Sequence, residues 1–64
     1  MPETSASHLR ALAADAKALQ QRLHDALAGM DDPAPTVSFQ LGEAHGSLGA
    51  AAQSLEAASQ ARSA

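Results

Sequence analysis

The chain contains no cysteine, no tryptophan and no tyrosine, and Phe39 is its one aromatic residue. Without cysteine there is no disulfide to hold a small fold together and no thiolate to ligate a metal or attack a substrate. A single ring provides no stacking platform for nucleic-acid bases. Four Lys and Arg residues stand against seven Asp and Glu, a net charge of −3, which argues against the clustered positive face that binding to phosphates requires. Long hydrophobic runs are missing too. No stretch approaches the roughly 20 apolar residues of a membrane span, and the opening MPETSASHLR lacks the basic-then-apolar order of a secretory leader. These absences lead to the expectation of a cytoplasmic protein with neither nucleic acid nor membrane among its partners. Lack of cysteine equally suits export by a machinery that needs no signal peptide.

With 64 residues the chain makes one domain at most, and a domain of this size buries only about 60% of the surface its unfolded chain exposes. Its large apolar residues are eight leucines with Met30, Val37 and Phe39, too few for a deep core. Association with a second copy or another protein is then the expected source of further stability.

Helical periodicity runs through two segments. Leu9, Leu12, Ala16, Leu19, Leu23, Ala26 and Met30 alternate at spacings of three and four, as do Val37, Leu41, Ala44, Leu48, Ala51, Leu55 and Ala58. The first set predicts a helix from about residue 5 to 28, rich in strong helix formers. Gly29 sits where a left-handed cap would go, and the prolines of Asp31-Asp32-Pro33-Ala34-Pro35 cannot continue that helix. The second set predicts a helix from about 37 to 61 with Thr36 as its N-cap, after a turn over about 29–36. Val37, Phe39 and Leu41 also alternate with Ser38 and Gln40, the period of a half-buried strand that would need a partner strand from another chain.

The fold class is therefore all-α: an antiparallel two-helix hairpin occupying residues 1–64, expected to pair with a second copy or a partner into a four-helix bundle. Leu41, Leu48 and Leu55 form its expected self-association ridge. Three glycines interrupt the second helix, each costing about 1 kcal/mol relative to alanine. Gly42, Gly46 and Gly49 are expected on the side away from the seam. At spacing four, Ser38, Gly42, Gly46, Ala50, Ser54 and Ala58 make a row of small residues that a second backbone can approach. Gly42, Gly46 and Ala50 are thus partner-binding candidates, with Phe39 nearby either as an anchor for a partner pocket or packed under the proline turn.

Chemistry-bearing residues are sparse. Ser7, Ser47, Asp25 and the three histidines supply residue types used in nucleophilic catalysis, but a two-helix hairpin has no water-excluding pocket, so no catalytic residue, enzyme activity or cofactor is expected. In a hairpin turning near residue 33, His45 falls within about a turn of His24 and Asp25, a candidate set for a weak surface zinc site and so for a metal-binding regulatory module. Against it stands the simpler reading of two solvent-facing histidines. Arg10, Lys17 and His24 recur every seven residues, a stripe suited to the wet face of a helix or to an acidic partner.

In outline, two alanine-rich heptad helices around a bend are similar to the small hairpin substrates of specialised secretion systems, and the proline-bounded turn is similar to that of type III needle subunits. The chain lacks the Trp-x-Gly bend of the former, and its SQARSA tail is polar where the latter end apolar. The sequence thus leads to a non-enzymatic interaction module, an adaptor, assembly subunit or inhibitor-like binder. Its alternative is an exported, secretion-associated hairpin.

Overall fold

The computed structural model describes residues 5–63, and residues 1–4 and 64 of the expected domain lie outside the described residues. Two helices, α1 (Ala6–Ala28) and α2 (Pro35–Ser63), pack lengthwise against each other, with no strand among the described residues. The molecule is 47 Å long and 19 by 14 Å across. At about 1.5 Å per residue, the 29 residues of α2 account for nearly all of that length.

Ser5 starts α1. Its backbone is extended (φ −80°, ψ 162°), and its hydroxyl accepts the His8 backbone N–H at 3.1 Å, satisfying one donor of the first turn. The other end departs from expectation. Gly29 stays right-handed at φ −84° and donates its N–H to the Asp25 carbonyl at 3.0 Å. The left-handed position falls instead on Asp32, φ 50°, just before Pro33. Aspartate tolerates that region better than most residues.

The second helix begins earlier than its periodicity suggested. Pro35 occupies the first helical position, where its missing N–H is no loss, and the Ala34 carbonyl accepts the Ser38 N–H at 3.1 Å. Thr36 consequently lies inside the first turn and does not cap the helix. The strand reading of residues 36–41 is overturned as well: a lone strand leaves its backbone groups unpaired, whereas a helix satisfies them internally.

The seam between the helices is rotated from the expected stripe. On α1 the buried and half-buried residues are Ala6, Leu9, Ala13, Ala16, Gln20, Leu23 and Leu27. Their counterparts on α2 follow Ser38, Leu41, His45, Leu48, Ala52, Leu55 and Ser59. Each helix keeps one expected row, 9/16/23 and 41/48/55, and replaces the other by the row one residue further on. That amounts to a turn of about 50°, half the angle between successive residues. Leu12, Leu19 and Val37 are left 38%, 45% and 39% exposed, while Ala13, Ala52 and Ser59 drop to 2% or less.

The replacing rows hold small residues at their tightest points, which lets the backbones approach and the leucines interlock between them. They also hold Gln20 and His45, which bond each other across the seam. Ser59 is buried without penalty because its hydroxyl donates to the Glu56 carbonyl at 2.7 Å. Enlarging a residue at the close approach tests this register. Ala52→Leu should cost about 1–3 kcal/mol by overpacking, whereas Ala57→Leu, on the exposed side of α2, should change urea stability by less than about 0.5 kcal/mol.

Candidate partner-binding surfaces

A two-helix layer has one seam and two broad faces, and the candidate residues distribute over all three. Leu41, Leu48 and Leu55 are half-buried in the seam, packed toward α1. Beside them lies a polar clasp between the helices. The Gln20 Nε2 donates to the His45 carbonyl at 2.9 Å and lies 3.4 Å from the His45 Nδ1.

Gly49 makes that clasp possible. A helical carbonyl already accepts the N–H four residues on, and a second donor must come in beside residue 49. A Cβ at that position would stand 2.7 Å from the Gln20 Nε2. Gly49 therefore belongs to the edge of the seam, contrary to its expected place on the far side of α2. Gly42 and Gly46 do face open space, with nothing within 4 Å of where a Cβ would be.

One broad face carries the residues of the polar stripe. The Lys17 Nζ lies 2.7 Å from the Glu56 Oε1, which fixes Arg10, Lys17 and His24 of α1 on the same side as Gly42, Gly49 and Glu56 of α2. Both partners are solvent-exposed, so the pair contributes at most about 1 kcal/mol. Near the turn this face holds a shallow recess of about 130 Å³ lined by Leu23, Leu27, Leu41, His24, Gly42 and His45.

The histidines meet there, with ring centroids 6.3 Å apart and tilted by 53°. Asp25 does not complete a metal site with them. Its carboxylate accepts from the Gln21 Nε2 at 2.9 Å and stands 3.6 Å from the His24 Nδ1, and no three His, Asp or Glu side chains among the described residues are grouped to hold an ion. Ser7, whose hydroxyl lies 3.2 Å from that of Ser5, sits about 25 Å along α1 from His24.

The opposite broad face is apolar. In both helices the residue just before each buried small or polar position points there: Leu12 and Leu19 on α1, Val37, Ala51 and Ala58 on α2. Met30, just beyond the end of α1, is 40% exposed. Phe39 is 63% exposed and so is not packed under the proline turn; it lies with Ser38, Gly42 and Glu43 around an open depression on α2. Residues four apart on a helix advance by about 40°. The small-residue row therefore leaves the seam at Ser38, passes through Gly42, Gly46 and Ala50, and reaches the apolar face only at Ala58.

No helix among the described residues is long and apolar enough to cross a membrane. The chain matches no protein-family model, no curated protein and no solved structure.

Sequence reasoning passed over Gln20 as a seam residue and Leu12 and Leu19 as surface residues. A signal for the first was available: Gln20 and His45 stand seven residues from Ala13 and Ala52, each in the row of small residues that the seam adopts.

The glycines separate by their surroundings. Gly46→Ala enters open space and should stabilise the protein by about 1 kcal/mol. Gly49→Ala gains the same propensity but displaces a hydrogen bond of about 1 kcal/mol, so little net change is expected. In a Gln20→Ala background, Gly49→Ala should recover the full gain of about 1 kcal/mol. Urea denaturation of these variants checks the coupling, and equal gains in both backgrounds would dissolve it.

Proposed function

We propose that this chain is a non-enzymatic protein–protein interaction module, a small helical hairpin whose working state includes a second copy or a protein partner. One observation carries the reading: among the described residues only Ala13, Ala52 and Ser59 are buried, while every leucine keeps at least partial exposure. A fold that fully shelters only two alanines and a serine leaves part of its hydrophobic gain unrealised, and a second apolar surface is where that part is available. Leu12, Leu19 and Val37 are exposed together on one face, while Phe39 is exposed beside Gly42 on the other side of α2; the grouping of the first three supports an interaction surface over scattered exposure.

Mass action supplies the test. If folding and association are coupled, the melting temperature should rise by about 5 °C for each tenfold increase in protein concentration. Sedimentation velocity over the same range should show the monomer giving way to a larger species. A compact monomer with a concentration-independent melt, together with no native-host protein retained by the immobilised chain, would overturn the proposal.

A further inference from the structure

We infer that the occupant of the Leu12–Leu19 face is a second copy of this chain, laid against it by a two-fold axis parallel to the helices so that α1 of each copy rests on α2 of the other. The inference rests on the interaction-module reading and names its partner. It starts from the division of the apolar face. Its α1 half is a ridge, with Leu12 and Leu19 38% and 45% exposed, and its α2 half presents only the small exposed side chains of Ala51 and Ala58 at the same levels. A surface that is raised on one side and low on the other complements itself when turned over.

The levels along the helices agree. Gln20 reaches His45 and the edge of Gly49, and Lys17 reaches Glu56, so residues of α1 and α2 stand at equal height when their numbers sum to roughly 68–70. A two-fold axis parallel to the helices preserves height. It sets Leu19 of one copy over Ala51 of the other and Leu12 over Ala58, each large side chain meeting a small one.

Polar groups at the rim match in the same register. Asp15 and Arg22 flank the leucine ridge, and at their heights α2 offers Ser54 and Ser47. A carboxylate can accept from one hydroxyl and a guanidinium can donate to the other. The chain has no formally charged side chain between Glu43 and Glu56. The ridge therefore lands on a stretch that presents no charge to desolvate. The molecule measures 47 by 19 Å in this projection, which sets an upper limit of roughly 900 Å² per copy on the contact, enough to reach the ~800 Å² per partner of a standard stable interface.

The natural sequence has no cysteine, so single cysteines report the geometry directly. Leu19→Cys and Ala51→Cys are prepared as separate full-length chains, mixed reduced, refolded together and oxidised with dilute copper phenanthroline. The proposed arrangement brings residue 19 of one copy against residue 51 of the other, within disulfide reach, and holds the two copies of residue 19 on diagonal helices. The mixture should therefore give at least about tenfold more cross-linked dimer than either variant alone. Ala14→Lys, on the opposite face, should leave the sedimenting dimer intact, and Leu19→Lys should abolish it.

Efficient cross-linking of Leu19→Cys with itself would place α1 on α1 and overturn the inference. So would a sedimenting dimer in which the mixture does not cross-link; either result would leave the interaction-module reading standing. A chain that is monomeric at every concentration yet retains a host protein overturns the inference in the same selective way. Monomer with no retained partner removes both.

Discussion

A pair of helices has no inside. Each helix touches one neighbour, so each can bury one stripe of about a third of its circumference, and everything else remains at the surface. In this chain the stripe that is buried contains small side chains, and Ala13, Ala52 and Ser59 are its most deeply buried points. The leucines at 9, 23, 41, 48 and 55 interlock around those points but are not enclosed.

Tight approach at the seam determines what lies outside it. Had the stripe contained Leu12 and Leu19, three leucine-bearing rows would have met in one layer and held the backbones apart. By turning about half a residue step, each helix shares one leucine row with its neighbour and carries the other apolar row to a single broad face. The opposite face receives Arg10 and the Lys17–Glu56 pair. The asymmetry of the hairpin, wet on one side and apolar on the other, thus follows from the seam and does not require a separate cause.

Which parts of this were legible in the residues follows from what kind of information each rests on. Helix location rests on local chemistry, and Ser5, the alanine-rich interior and the two prolines mark it openly. The strand-like alternation of Val37, Phe39 and Leu41 misled only because period two and a helical stripe coincide over so few residues. Seam rotation is a different matter. Leu9, Leu12 and Ala13 fall within about 100° of one another on α1, and hydrophobicity alone favours the leucine at 12 over the alanine at 13. Choosing alanine depends on the facing helix, where Ala52 and Ser59 offer equally little bulk, and that information lies some forty residues away in the chain. The metal candidates show the same boundary: spacing brought His24 and His45 together, but the direction of the Asp25 carboxylate toward Gln21 depends on rotamers.

The glycines show how one residue type can be retained for unlike reasons within four helical turns. At Gly49 the missing side chain has an identified use, since the Gln20 amide occupies the space and reaches a backbone carbonyl that is otherwise shielded. Gly42 and Gly46 have no such neighbour and weaken α2 at positions open to solvent. Their effect is mechanical as much as thermodynamic. Near the turn, where the recess beside His24 and His45 opens, these two glycines lower the helix propensity of α2 relative to its alanine-rich second half. The half that carries Ala51 and Ala58 has no glycine and is mostly alanine, serine and glutamine around Leu55 and Glu56. A rigid, smooth segment receiving a leucine ridge and a weaker segment beside the turn are consistent with a hairpin whose far end is the firmer contact surface.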